Sequence, residues 1–540
     1  MSKTSEVFSK VPVKVQSRSG FDMSHESLFT AKVGTLIPAS VEEVMPGDVV
    51  SVGSALSVEL PPLATNFKGR VDARLEAFFV PNRLIWGGWQ NFITQDPNHS
   101  PSVPSYSVAS SIPKVSLNST MSVAGSLSDY LGFKGALPGP STNVNALPFL
   151  AYQKIWDDWY RDSNIQQPFF VDGISSDLTG AGSPHAAYMP YQRVSGVLSS
   201  TSSYNTQNSQ MGLNGRNLLS LAQRNFAKDY FTTMTTRPQA GASSNLQFSM
   251  TGQADLSTGA VDTSGSFSIA SLRAANALQK WLERNNIAGT RYYDQILAHY
   301  GVLPSDAVFQ RSVLLGAMTT PVIVNSVAQQ SQGTNSQSKN PYANSTGAMF
   351  GRGNAFGKDR LIDNFEVKEH GYIFIMFSLV PHAYYSTGAR RYLTQRNGSS
   401  TFAFPEFAGI GDQEVLLSEL YGPAAVADLT IGYNQRYSEY KYHDDEVHGL
   451  LRDGESLSSF VLQRGFDNTA SLNSSLLEIP TDFMDDVMVT TSDVSGFNAV
   501  VDAYFDARYL RVLPMYSLPS LCEGEEDGKK VYVPKGGTRL

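Results

Sequence analysis

Five stretches of this 540-residue chain gather residue types that could do chemistry. Gly351-Arg352-Gly353-Asn354-Ala355-Phe356-Gly357 has the glycine content of a phosphate-cradling loop. It is one residue too long for the dinucleotide fingerprint, and its Gln/Ser/Asn/Gly-rich surroundings predict an ordinary loop over 326–360. There is no Walker A sequence. His443-Asp444-Asp445-Glu446-Val447-His448 has the content of a metal cluster. Its histidines are five apart, which a helix does not bring onto one face and a strand sends to opposite faces. It reads as a solvated polar turn. The eight histidines include no HExxH and no zinc-type spacing, so no metal or cofactor is expected. The pairs Asp157/Asp158 and Asp485/Asp486 offer carboxylates for acid–base work, but adjacent side chains diverge and cannot share a proton unaided. Solvated or ion-paired surface charge is expected there. Tyr384, Tyr385, Arg390, Arg391, Tyr392 and Arg396 interleave aromatics with cations, as a base-stacking and phosphate-contacting surface requires. The other reading is a solvated loop with ordinary ion pairs, and the acidic balance of the chain favours it.

These residues need a scaffold, and the scaffold reads as β. Val71, Ala73, Leu75, Ala77 and Phe79 alternate with Asp72, Arg74 and Glu76, which predicts a strand with one buried and one partly wet face. Pro81 ends it, having no N–H for a ladder. Trp86, Trp89 and Phe92 follow at helical spacing. Pro46-Gly47-Asp48 is a turn by its chemistry. Tyr372–Val380 is the longest apolar run, too short for a bilayer and suited to a buried strand. Phe365–Val380 and Val500–Val512 also read as strands. Helices are expected near 148–162, where Phe149, Tyr152, Trp156, Trp159 and Tyr160 form a stripe behind Pro148, and near 271–285, where Ala274, Ala275, Leu278, Trp281 and Leu282 share a face. A shorter helix is expected near 217–229. Residues 1–30 read as an extended basic arm, and 98–145, 172–215, 238–268 and 326–360 as surface loops. One framework over 31–540 carrying large insertions explains the length better than consecutive domains. The aromatics Phe79, Trp86, Trp89, Phe92, Trp156 and Trp159 suit core packing, a ligand platform or docking against a neighbouring subunit.

Composition narrows the function classes. One cysteine, Cys522, rules out a disulfide framework or Cys-rich metal site. The N-terminal residues lack an apolar signal region, and no membrane insertion is expected. A net charge of −8 excludes a general nucleic-acid binder, so any such contact must be local. Charged residues are only 17%, which suits large protein–protein contacts.

The blocks Phe78-Phe79-Val80-Pro81-Asn82-Arg83-Leu84 with Trp86-x-x-Trp89-x-x-Phe92, Arg18-Ser19-Gly20-Phe21-Asp22, Glu43-Val44-Met45-Pro46-Gly47-Asp48, Ile155 to Asp162 and Lys228-Asp229-Tyr230-Phe231-Thr232 occur in order. Gly289-Thr290-Arg291-Tyr292, Tyr300-Gly301-Val302, Glu369-His370-Gly371-Tyr372 and Gly432-Tyr433 follow. Together they resemble the major capsid protein of the Microviridae, the small single-stranded-DNA phages, in its gokushovirus-like form. The resemblance implies a mainly β fold, a single eight-stranded antiparallel jelly roll with long loop and helix insertions, and no enzyme activity. It implies sixty copies in a T=1 icosahedral shell around circular single-stranded DNA, made in the host bacterial cytoplasm. Further implied partners are a DNA pilot or small DNA-binding virion protein and a host cell-surface receptor. An insertion, 172–215 or 238–268, would form a three-fold protrusion. The packaged DNA would meet Lys3, Lys10, Lys14 and Arg18, or Arg390 and Arg391. The rival reading is a β-sandwich carbohydrate-binding or carbohydrate-cleaving protein with two carboxylates roughly 5–10 Å apart across a cleft. A tail protein would show repeats or a coiled coil, and neither is seen.

Overall fold

Period-two patterning becomes two facing antiparallel sheets. The computed structural model describes residues 18–515, except 87–88, 95–111, 113, 118–122, 134–141, 167–196, 199–217, 240–268, 289–296, 301–310, 329, 331–344, 397, 399–400, 423–428 and 490–496. The strands are β1 (Ser19–Asp22), β2 (His25–Ala31), β3 (Ile37–Val44), β4 (Val49–Glu59), β5 (Val71–Pro81), β6 (Lys114–Leu117), β7 (Thr142–Asn145), β8 (Val197–Leu198), β9 (Val313–Pro321), β10 (Ile323–Ala328), β11 (Met349–Glu366), β12 (Gly371–Pro381), β13 (Gln413–Leu416), β14 (Thr430–Asn434) and β15 (Ala499–Arg511). Helices α1 (Asn82–Ile85), α2 (Trp89–Thr94), α3 (Leu127–Tyr130), α4 (Leu147–Ile155) and α5 (Ile269–Ala288) lie in the connections. One sheet runs β1–β15–β4–β11–β10, with β2 also on β15, and the other runs β3–β12–β5–β9. Strands β6–β8 and β13–β14 form two minor sheets.

The inward faces are the ones the alternation predicts. Val50, Val52, Leu56 and Val58 of β4 and Val501, Ala503, Phe505 and Ala507 of β15 meet Val71, Ala73, Leu75, Ala77 and Phe79 of β5. Ile373, Ile375, Phe377 and Leu379 of β12 complete this core. The other face of β5 is partly exposed only at Arg74 and Glu76. Asp72 is 1% exposed, and Glu76 is ion-paired with Arg224 at 2.5 Å. A second layer covers that side. Phe78, Val80, Tyr372, Phe374 and Met376 pack against Phe149, Leu150, Tyr152 and Ile155 of α4. β12 is therefore buried at every position. The Tyr152 hydroxyl ties the layers together, donating to the Leu36 carbonyl (2.7 Å) and accepting from the Ala222 N–H (2.8 Å).

Several local expectations are corrected. The 86–92 helix is two short ones, because Trp86 is extended (φ −147°) between α1 and α2. The 148–162 helix starts with Pro148 in its first turn but ends in one π-helical turn, Trp156–Tyr160. Residues from 218 toward 229 are not helical. Their backbone groups bond across the chain instead, Ala222 to Leu36 (2.9 Å), Arg224 to Gly34 (2.7 Å) and Phe226 to Leu477 (2.9 Å). The arm expected over 1–30 is β1 and β2 from Ser19 onward. The loop expected over 326–360 is β11 from Met349 onward. There the glycines are packing devices, since a Cβ on Gly353 would lie 2.4 Å from Leu60 Cδ1 and one on Gly357 2.1 Å from Thr320 Oγ1. β6, β7 and α3 lie within 98–145. The loops expected at 172–215 and 238–268 lie outside the described residues, apart from 197–198 and 238–239.

Tyr152→Phe leaves a buried carbonyl and a buried N–H without their shared partner. Denaturant unfolding is expected to show a loss of about 2 kcal/mol. An unchanged midpoint would mean the layers are not joined there.

Candidate functional site

Two stretches with chemical content, 384–396 and 443–448, are far apart in sequence and meet in space. The chain leaving β12 is locked in register with the polar turn. The Tyr385 N–H donates to the Asp445 carbonyl (2.8 Å), and the Val447 N–H donates to the Tyr385 carbonyl (2.9 Å). The cavity between them is about 600 Å³, lined among others by Tyr392, Leu393, Tyr440, Asp444 and Arg452.

Its electrostatics are those of matched pairs. Arg390 forks onto Glu446, Nε to Oε1 at 2.6 Å and Nη2 to Oε2 at 2.8 Å. That bond holds the Glu446 carboxyl below the usual range. Arg391 donates to Glu419 Oε1 (2.9 Å) and to the Glu414 carbonyl (2.6 Å). Arg396 donates to Glu439 Oε1 (2.9 Å). Deeper in, Tyr385 donates to Asp229 Oδ2 (2.7 Å). Burial, reinforced by the neighbouring Asp229 charge, pushes the Asp444 carboxyl up to about 7. Behind Tyr385, the Arg464 guanidinium lies 5.7 Å from the Tyr385 ring centroid and 4.3 Å from that of Phe226, and donates to the Leu476 carbonyl at 2.6 Å.

The arrangement serves cohesion. Arg390 and Arg391 reach any polyanion already matched by carboxylates, which weakens the attraction that a phosphate contact needs. The partners Glu419 and Glu439 gave no sequence signal, because nothing in their own neighbourhoods relates them to the arginines; Asp229 lies in the Lys228–Thr232 block, but nothing there relates it to Tyr385. His443 Nδ1 lies 2.8 Å from the Asp444 carbonyl, while His448 pairs with Glu446 at 3.2 Å. Among the described residues, no group of three or more His, Cys, Asp or Glu is placed to hold a metal ion.

Asp157 and Asp158 are ion-paired but not on the surface, at 7% and 8% exposure. They do point apart. Asp157 takes Arg161 (2.6 Å), whereas Asp158 takes Lys154 (2.9 Å) and the Ser312 N–H and hydroxyl (2.8 Å each). The π-helical turn carries both into the second core, so each has to be neutralised locally. Of the aromatics, Phe79 packs on Phe365 at 5.4 Å, and Trp86, Trp89 and Phe92 cluster at 5.4–6.5 Å. Trp156 donates to the Gln223 carbonyl (3.1 Å) and Trp159 to the Ser312 carbonyl (3.0 Å). These contacts are all within the chain. Lys3, Lys10 and Lys14 lie outside the described residues, and Arg18 is 3.9 Å from Glu366.

A carboxyl raised in the folded state adds stability that is complete below its unfolded value, about 4, and lost as pH rises through about 7. Asp444→Asn is therefore expected to stabilise the protein more at pH 8 than at pH 5 in thermal melts. Equal effects at both pH values would show that Asp444 titrates as an ordinary carboxyl.

Comparison with known proteins places the whole chain. Capsid protein VP1 of Chlamydia phage 1 is 27% identical, over 95% of this chain and 97% of its own length. Capsid protein VP1 of Bdellovibrio phage phiMH2K is 26% identical, with the same shares covered. Capsid protein VP1 of Spiroplasma virus 4 is 23% identical over 93% of this chain and 95% of its own length. The resemblance to the Microviridae capsid protein is thus borne out. The model of one family, described as Capsid protein (F protein), matches residues 9–521, and the chain belongs to that family.

Proposed function

We propose that this chain is the major shell protein of a small phage, sixty copies closing as a T=1 icosahedron around circular single-stranded DNA. The strand order carries the reading. β2–β15–β4–β11 faces β3–β12–β5–β9, and consecutive strands alternate between the sheets except at β5–β9. Two interleaved Greek keys give that order, which supports an eight-stranded jelly roll with β1 and β10 as added edges. Such a shell closes through heterologous contacts whose rotations sum to symmetry axes, so each contact can be modest. The low charge fraction suits such contacts.

The DNA contact falls to Lys3, Lys10, Lys14 and Arg18 in preference to Arg390 and Arg391, because the latter two are held on carboxylates at 2.6 and 2.9 Å, whereas Arg18 only approaches an exposed Glu366 at 3.9 Å. One insertion, 172–215 or 238–268, supplies the protrusion, and exterior loops contribute to host attachment. A minor DNA-binding or pilot protein shares the virion interior, and assembly takes place in the host bacterial cytoplasm. Among the described residues no helix is long and apolar enough to cross a membrane.

Sedimentation and negative-stain imaging of purified protein are expected to show closed particles of one size. A stable monomer turning over a small substrate would overturn the reading. Replacing Lys3, Lys10, Lys14 and Arg18 by Gln is expected to lower the DNA content per particle, read from the 260/280 nm absorbance ratio. Arg390→Gln with Arg391→Gln is expected to lower the melting temperature and leave DNA content unchanged. The reverse pattern would move the contact to the corner.

A further inference from the structure

The two sheets leave one side of the sandwich open. Among the described residues β2 pairs with β15 alone and β3 with β12 alone, so each presents a free edge on that side. His25 spans the gap, its Nε2 3.1 Å from Ser40 Oγ. The groove along the two edges is about 1020 Å³. Residues 25–32 and 37–42 line it without a break. A sheet face contributes only alternate residues, so this lining is made of strand edges. The Thr30 carbonyl already accepts the Tyr130 hydroxyl there, at 2.8 Å. In an antiparallel strand the backbone groups of alternate residues point to the same side, which puts those of Glu26 and Leu28 on the open edge too. Leu28 is 71% exposed. Glu26, Glu42 and Asp129 set the charge of the lining, against Lys32. Burial pushes the Glu42 carboxyl up, with His25 and Arg511 acting against it.

We propose that this groove is a strand-docking site and that its occupant is residues 529–535 of the same chain. The inference does not depend on the shell reading. The segment lies outside the described residues and beyond the family match over 9–521. Charge favours it. Lys529-Lys530-Val531-Tyr532-Val533-Pro534-Lys535 carries three cations and no acid, opposite in sign to the groove. The other basic segment, 1–17, spreads Lys3, Lys10 and Lys14 more thinly and includes Glu6. Pattern favours it too. Val531 and Val533 alternate with Lys530 and Tyr532, residue types that suit a strand, and the seven residues equal the seven of β2.

Reach is sufficient. β15 ends at Arg511, whose Nη2 donates to the Glu43 carbonyl (3.2 Å), next to the groove-lining Glu42. From Met515, the thirteen residues 516–528 span at most ~45 Å, whereas the eight residues of β3 extend only ~27 Å. Docking gives the open edge of β2 the donors and acceptors it lacks, and closes an edge that is otherwise a template for foreign strands.

The test is hydrogen–deuterium exchange on the full chain, wild type against the triple variant Lys529→Glu, Lys530→Glu, Lys535→Glu. The amides of Glu26 and Leu28 are expected to exchange at least about tenfold faster in the variant, and those of β12 at an unchanged rate. Zero-length carbodiimide cross-linking of wild type supplies a second readout, with links expected from these lysines to Glu26 or Glu42. Equal exchange in the two proteins, or links from the lysines only to the acids of 523–527, would overturn the proposal. Links to Glu26 from Lys3, Lys10 or Lys14 instead would give the groove to the basic arm and overturn it. Slow exchange in assembled particles but not in separate subunits would overturn it in favour of the segment from a neighbouring copy.

Discussion

The burial of β12 on both faces is the constraint on which the rest depends. Its eleven residues carry no charge, and all are buried. One set of side chains fills the space between the sheets, and Tyr372, Phe374 and Met376 fill the space under α4. Each large side chain contributes about 2 kcal/mol on burial, so this strand alone rivals the roughly 5–15 kcal/mol net stability of a typical domain. Its neighbours must follow. β5 pairs with it from Gly371–Pro81 to Pro381–Val71, and β3 flanks its other edge. Ser378, a polar group on this strand, receives Arg224 Nη1 at 3.1 Å, and the same guanidinium binds Glu76 on β5.

Covering the second face with helix and loop has an electrostatic consequence. Charges that would sit in water on a one-sided sheet become buried. Glu76 is therefore clamped by Arg224 and accepts the Tyr160 hydroxyl at 2.5 Å, and Asp158 is ringed by Lys154 and Ser312. The same logic governs the corner of 384–396 and 443–448. Arginines next to aromatics suggest nucleic-acid contact until their carboxylates are located. Once Glu446, Glu419 and Glu439 are in place, the cations hold loops together. An unpaired buried charge is costly, so the fold supplies the partners.

The outer surface shows the converse. The interior uses its apolar residues fully, yet α5 and the 402–410 segment leave theirs outside.

Much of the framework was legible in the sequence. Alternation over 71–79, the apolar run 372–380 and the Pro46-Gly47 turn, where Gly47 takes φ +92°, each became the expected element. These signals are local, because a strand with a buried face must alternate and a positive φ favours glycine. What failed depended on partners far along the chain. The 217–229 segment has helical content, but its backbone bonds to Gly34, Leu36 and Leu477. The glycines of 351–357 suggest a loop, but they are spaces that Leu60 and Thr320 occupy in a strand. The ion pairs expected around Arg390 have a partner the local sequence does not name, since Glu446 lies 56 residues on. By itself, then, the sequence determined which residues alternate, turn and avoid charge, and from its ordered blocks the family. Only the tertiary structure decided which faces are doubly covered, which charges are cancelled and which apolar surface is left outside, because those depend on what lies across a sheet or a cavity.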